Sequence, residues 1–216
     1  NLEALLCDGS GITNLDVSSS PALTRLSCSG TGIMELDVRN NTSLQELRCS
    51  GTMLASLDVN RNGNLQVLNC SGTLLDGLDV TGNPLLRELD CTATSPAYLD
   101  LGSAGIGLLS RPMASAVSYA PGGKTFDITG AFLGIRADRI HILSGGTLDG
   151  NILSGYKRGI PVIYEYSCGT NNQNEEILTV TLNLDLPPKT DTSVSIEKDL
   201  DKSYDGMPVS LSDSDL

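Results

Sequence analysis

Apolar residues recur along the first hundred positions with a fixed phase. Cys7, Cys28, Cys49, Cys70 and Cys91 are spaced by 21 residues. One leucine stands five before each cysteine (Leu2, Leu23, Leu44, Leu65, Leu86) and another two before (Leu5, Leu26, Leu47, Leu68, Leu89). Ile12, Ile33, Leu54 and Leu75 fall five after, and Leu15, Leu36, Leu57, Leu78 and Leu99 eight after, each followed by Asp. Val17, Val38, Val59, Val80 and Leu101 close the pattern at ten after. A period of this length marks a solenoid, because one unit cannot bury its own apolar face while stacked units bury a continuous column. L-x-C alternates with period two and predicts a short strand with Leu and Cys inward. L-D-V alternates likewise and predicts a second inward pair on the opposite side of the coil. The short unit leaves no room for a long helix, so the outer side is expected to be extended or a single turn.

The repeating unit reads L-x-x-L-x-C-x-x-[ST]-x-[IL]-x-x-L-D-V. It resembles the leucine-rich repeat, with cysteine in place of the third leucine. Ser10, Thr31, Thr52, Thr73 and Thr94 stand where that repeat has asparagine, and their hydroxyls can bond the backbone as the strand turns. The unit is most similar to the internalin-type repeats of bacterial surface proteins, in the subset with 21-residue repeats and a cysteine ladder. The resemblance covers residues 1–101, five coils. It implies a bacterial protein that is extracellular, secreted or attached to the cell wall, and whose repeats serve adhesion by binding a host or neighbouring-cell ligand. Two features depart from that pattern. No cap precedes the first repeat leucine, and no aromatic residue precedes Tyr98, whereas the family's concave faces are often aromatic.

The texture changes after the repeats. Residues 102–113 (GSAGIGLLSRPM) read as a capping joint, with Ile106, Leu108 and Leu109 expected to pack on the solenoid end. From 114 to 187, alternating or β-branched runs such as KTFDI, RIHIL and PVIYEYS are punctuated by Gly-Gly, Asp-Gly and Asn-Asn. They predict a small all-β sandwich. Its position after the repeats resembles the Ig-like module of internalin-type proteins. Residues 188–216 read as an acidic linker or as the start of a further surface repeat. Ser193-Val194-Ser195-Ile196 is strand-like, and Tyr204-Asp205-Gly206-Met207-Pro208-Val209 resembles the opening of Ig-like repeats in bacterial surface proteins. The expected fold class is therefore mainly β: a leucine-rich repeat solenoid of five coils followed by a small Ig-like β-sandwich.

Charge and composition narrow the partners. The 216 residues carry 14 Lys plus Arg against 26 Asp plus Glu, a net charge of −12. Such a surface repels nucleic acid and anionic lipid. No apolar run approaches the roughly 20 residues needed to span a bilayer. Asn1-Leu2-Glu3 lacks the basic opening of a signal peptide, and the chain reads as a segment of a longer protein.

Candidate chemistry is sparse. His141 is the single histidine, so a catalytic triad or a multi-histidine metal site would run through it alone. It alternates with Ile140 and Ile142, which puts it on the solvent face of a strand. No nucleophile elbow, phosphate loop, zincin motif or C-x-x-C is present. These observations predict a non-enzyme with no cofactor, no metal and no catalytic residue. The ladder cysteines, and Cys168 outside the period, are expected to be free buried thiols, since a linear ladder is not the tetrahedral array zinc requires. Asp16, Asp37, Asp58, Asp79 and Asp100 lie one per coil on the outer face and are expected to cap their own turns. Asn41, Asn62 and Asn83 are read as turn residues.

Parity around each cysteine selects the outward positions of the concave strands. The candidate ligand face is Arg25, Ser27, Glu46, Arg48, Val67, Asn69, Glu88 and Asp90. It is polar, with mixed charge and no aromatic anchor. Its expected ligand is an extracellular protein or glycan. The plainer reading is a structural spacer, in which Arg25, Glu46, Arg48 and Glu88 pair with one another across coils. Glu46 and Glu88 share a face but stand two coils, or about 10 Å, apart, just beyond the separation of a glycosidase pair. The first coil, with no cap before it, invites self-association through its apolar edge.

Overall fold

The computed structural model describes residues 2–102 and 105–185. The repeats form short strands, one or two to a coil: β1 (Ala4–Leu6), β2 (Arg25–Ser27), β3 (Glu46–Arg48), β4 (Val67–Asn69), β5 (Gly77–Asp79), β6 (Glu88–Asp90), β7 (Tyr98–Asp100) and β8 (Leu108–Ser110). Six of them make one parallel sheet in the order β1-β2-β3-β4-β6-β8. Its register aligns Leu5, Leu26, Leu47, Leu68, Leu89 and Leu109 in a single row. β5 and β7 pair in parallel on the opposite side of the coils. The column between the two sides is apolar: Leu26, Cys28, Ile33, Val38, Leu47, Cys49 and Leu54 are all fully buried. Each such aliphatic side chain contributes roughly 1.5–3 kcal/mol by leaving water.

The five coils the cysteine period predicts are followed by one further strand of the same sheet. β8 lies inside 102–113, the segment read as a capping joint, and pairs with β6 as the sixth strand. Ile106, Leu109 and Arg111 keep the L-x-x-L-x-C frame, but the step from Cys91 is one residue short and arginine replaces cysteine. The phase and the marker residue are lost together, which hides the coil from a count of cysteines.

Two side-chain ladders close each turn. Thr31, Thr52, Thr73 and Thr94 donate their hydroxyls to the carbonyls of Cys28, Cys49, Cys70 and Cys91 at 2.6–2.8 Å. At the far corner the Asn62 amide donates to the Val38 and Asn41 carbonyls, and Asn41 and Asn83 repeat the arrangement one coil down and one coil up. Two residues after each cysteine the chain must turn with positive φ. Gly9, Gly30, Gly51 and Gly72 do so at 63–66°, and Ala93 does so at 54° without glycine's freedom.

The remaining strands form two further sheets. They are β9 (Ala114–Tyr119), β10 (Phe126–Asp127), β11 (Ile140–Ser144), β12 (Thr147–Asp149), β13 (Ile152–Ser154), β14 (Val162–Asn171) and β15 (Asn174–Leu184). A single helical turn, α1 (Ile128–Ala131), is capped by Asp127. One sheet has the order β11-β14-β15-β9 and the other β10-β13-β12. β9 runs parallel to β15, and the other pairs are antiparallel. Tyr119, Phe126, Phe132 and Tyr156 meet ring against ring, with centroids 4.8–5.7 Å apart.

The solenoid and these sheets share a seam. The Leu101 amide donates to the Cys168 carbonyl at 2.8 Å, and the Thr170 amide to the Gly102 carbonyl at 2.9 Å. The Tyr164 hydroxyl donates to the Ala97 carbonyl and the Ser115 hydroxyl to the Pro96 carbonyl. Arg139 meets Asp100 at 2.6 Å. Arg111, buried at the cysteine position of the sixth rung, pairs with Glu176 and donates to the Ile177 carbonyl. No described helix is long and apolar enough to cross a membrane. The strand-like and Y-D-G-x-P-V stretches of the tail lie outside the described residues.

Candidate functional site

The concave sheet sets out two rows of outward side chains. One row is Ala4, Arg25, Glu46, Val67, Glu88 and Leu108, and the other is Leu6, Ser27, Arg48, Asn69, Asp90 and Ser110. All eight residues selected from the sequence lie in these rows. Leu108 and Ser110 were missed with the sixth coil. The I-x-x-L spacing of Ile106 and Leu109 is the signal that places them.

Glu46 is the hub of the charged part. One carboxylate oxygen lies 3.0 Å from Arg25 Nε and the other accepts from Arg48 Nε at 2.6 Å. The bond from Arg48, opposed by partial burial, lowers the Glu46 carboxyl from its ordinary value. The expected pairing thus forms among Arg25, Glu46 and Arg48. Glu88 takes no ion pair among the described residues; it acts on Arg48 only through the field.

Two of the selected residues are less available than parity implied. Val67 is 8% exposed although it stands between Glu46 and Glu88 in an outward row. Ser27 is buried because its hydroxyl donates to Asp8 at 2.6 Å, and the Ser29 amide binds the same oxygen at 2.7 Å. Asn69 accepts from the amide and hydroxyl of Ser71, and Asp90 from those of Thr92. The strip is therefore pre-organised at Glu46, Asn69 and Asp90, whose carboxylate and amide groups are held by local bonds, while Glu88 is held by none among the described residues. Its charge is also sorted. Arg25, Glu46 and Arg48 carry a net +1 and Glu88 with Asp90 carry −2, separated by the Val67–Asn69 rung.

The outer acidic ladder caps its own turns. Asp16, Asp37, Asp58 and Asp79 each accept the amide two residues on at 2.8–3.0 Å. Arg39 also clamps Asp37 and lowers its carboxyl to about 2. Among the described residues no group of three or more His, Cys, Asp or Glu stands where it could hold a metal. All six cysteines are free. Burial pushes the thiols of Cys28, Cys91 and Cys168 up to about 12. His141 is exposed, opposite Glu165 on the neighbouring strand.

No protein-family profile matches the chain, and no curated protein matches it in sequence. Solved structures do. The functional domain of InlJ from Listeria monocytogenes, which includes a cysteine ladder, is 21% identical over 84% of this chain and 52% of that one, with a TM-score of 0.39. InlP from the same organism is 15% identical over 86% of this chain and 66% of that one, with a TM-score of 0.42. The chain thus spans about half to two thirds of the length of these structures.

Proposed function

We propose that this chain is the recognition segment of a bacterial surface or secreted protein, and that it binds an extracellular protein or glycan through its concave face. One observation carries the reading. Two rows of outward side chains, mostly polar or charged, are set out on a hydrogen-bonded parallel sheet, and local bonds hold several of them in place before any ligand arrives. The internalin-like repeat unit supports a surface location. Self-association through the first coil is proposed as well.

An Ig-like character for the second module is supported by its strand order. Its seven strands divide into β10-β13-β12 and β11-β14-β15-β9. Lettered A to G in chain order, these are B-E-D and C-F-G-A, the partition of an immunoglobulin sandwich except that strand A joins G rather than B. The domain limits 1–101, 102–113, 114–187 and 188–216 are proposed with it. An enzyme reading gains nothing from the concave acids. Glu46 is held ionised by Arg48, and a general acid must keep its proton near neutral pH.

The alternative is a structural spacer. The mutual satisfaction of Arg25, Glu46 and Arg48 favours it, since exposed pairs of this kind contribute only about 0–1 kcal/mol and need no ligand. The deciding experiment presents a panel of extracellular glycans and matrix proteins to the chain and to its Arg25→Ala, Arg48→Glu double variant, with folding checked by circular dichroism. Saturable binding that only the variant loses supports recognition by the strip. Absent binding, or binding indifferent to the variant, supports the spacer.

A further inference from the structure

β8 is the last strand of the concave sheet, and the bonding pattern of the ladder says which of its groups are left over. In every rung the outer residues bond back to the preceding coil. The Glu46 amide donates to the Thr24 carbonyl at 3.0 Å, and the Arg48 carbonyl accepts from the Cys28 amide at 2.8 Å. β8 repeats this. The Leu108 amide donates to the Arg87 carbonyl and the Ser110 carbonyl accepts from the Cys91 amide. The middle residue of each rung, with the carbonyl two before it and the amide two after it, faces the next coil. In β8 those groups belong to Leu109, Gly107 and Arg111, and among the described residues no strand lies beyond them. Among the described residues the brace is at the start of the rung, where Asn171 and Asn172 side chains satisfy the Ile106 amide and carbonyl.

Beside this edge lies an open groove of about 540 Å³, within the range of peptide- and ligand-sized sites. Ile106, Leu109 and Met113 supply its apolar lining, and Asn172 and Glu176 its far wall. Met113 is 70% exposed and Leu108, on the same rung's concave side, 65%. The unpaired charge on the neighbouring rung is acidic. The outward residues of the last two rungs are Glu88, Asp90, Leu108 and Ser110. The nearest cation, Arg111, is already bound to Glu176 and to the Pro112 and Ile177 carbonyls. Edge strands left unpaired beside a groove accept an added strand, with the backbone supplying the attraction and alternate side chains the selectivity.

We infer that the free edge of β8 takes an extended segment of a protein partner as a seventh rung, and that the segment alternates apolar with basic residues. Its inward side chains would rest on Leu109 and Met113, and its long cationic side chains would reach back across Leu108 and Ser110 toward Glu88 and Asp90. Pro112 limits the pairing to the short rung length found throughout the sheet. This edge shares Glu88 and Asp90 with the concave strip but not the Arg25–Glu46–Arg48 cluster, so the Arg25→Ala, Arg48→Glu variant that abolishes recognition by the strip should leave binding at the edge intact.

The test uses amide-resolved NMR on the full chain. In the free protein the Leu109 and Arg111 amides should exchange with solvent fast, while those of Leu108 and Ser110 are protected. An acetylated nonapeptide alternating Lys with Val is then titrated, alongside its Glu–Val counterpart and a Lys–Val version methylated on alternate backbone nitrogens. Saturable shifts confined to residues 105–113 and 171–177, seen for the plain Lys–Val peptide alone, are expected. A Glu88→Lys, Asp90→Lys double variant, which removes no backbone group, should weaken that binding about tenfold. Protection of the Leu109 amide in the free protein would show the edge already covered and overturn the inference. Equal binding of the methylated peptide, or no shifts along the edge, would overturn it too.

Discussion

Gly77 sits under the ring of Tyr98, and replacing it with alanine should unseat that ring. A Cβ built on Gly77 falls 2.0 Å from Tyr98 Cε1 and 2.4 Å from Cζ, far inside contact distance. The ring has little room to retreat. Its hydroxyl donates to the Leu133 carbonyl at 2.7 Å, and its ring centroid lies 6.1 Å from that of Tyr166. Gly134 closes the other end, where an added Cβ would lie 2.3 Å from the Tyr98 oxygen. Overpacking costs about 1–3 kcal/mol. The displaced hydroxyl forfeits about 1 kcal/mol more. Gly77→Ala should therefore destabilise the chain by about 3 kcal/mol in urea unfolding and change the near-ultraviolet tyrosine dichroism. The sign should reverse once the obstacle is gone. Gly77 is a strand residue with an ordinary φ, so alanine there restricts the unfolded chain and gains about 0.4–1 kcal/mol. In a Tyr98→Ala background, Gly77→Ala should be neutral to stabilising, although Tyr98→Ala itself costs about 3–5 kcal/mol. Equal destabilisation in both backgrounds, or none in the parent, would refute the wedge.

Three further outcomes follow from the ladders. A thiol reagent at mildly alkaline pH should label Cys7 in the folded chain and the remaining five only on unfolding, because only Cys7 is partly exposed and the others are buried; rapid labelling of several thiols would contradict a dry column. Asn62→Ala strips the Val38 and Asn41 carbonyls of a buried donor and should cost about 2–4 kcal/mol. Asn64→Ala at the exposed neighbouring site should stay within about 0.5 kcal/mol in the same denaturation assay. Ala93→Gly relieves the one non-glycine residue at the turn after the ladder cysteine and should stabilise by about 1 kcal/mol, read as a higher urea midpoint with unchanged slope.

The solenoid was legible because its evidence is repeated: an inward Leu or Cys misread in one coil is corrected by four others. The same redundancy explains what was lost. The sixth rung has Ile106 and Leu109 in place, but a single deleted residue and Arg111 at the cysteine position remove it from the count. The turn glycines recur two residues after four of the cysteines and were readable, yet they only acquire meaning with their positive φ. At the candidate site, parity predicts the direction in which Val67 and Ser27 point. It carries no information about cover or partners, such as the bond from Ser27 to Asp8. The β-runs after residue 114 were visible as strands. The parallel pairing of β9 with β15 was not, because it joins segments about sixty residues apart and depends on which edge the chain returns to.

The seam explains why a recognition surface and a spacer need not be rival designs here. A repeat column must end in something that covers its apolar face. In this chain the ending is not a detached cap. Backbone bonds from Leu101 to Cys168 and from Thr170 to Gly102 carry the solenoid's second side directly into β14. Cys168 brings a sixth thiol next to Cys91, close enough to act on its ionisation. Buried Arg111, at the position where a sixth ladder cysteine would have continued the column, instead ends it by pairing with Glu176 of β15. The module that covers the column thus also fixes its direction. A ligand seated on the concave rows would transmit load through hydrogen bonds and ion pairs on both sides of the coil rather than through a single linker. The stability of the last rungs and the aim of the strip are therefore one property of the seam. Substitutions at Asp100, Arg139, Arg111 or Glu176 act on both together.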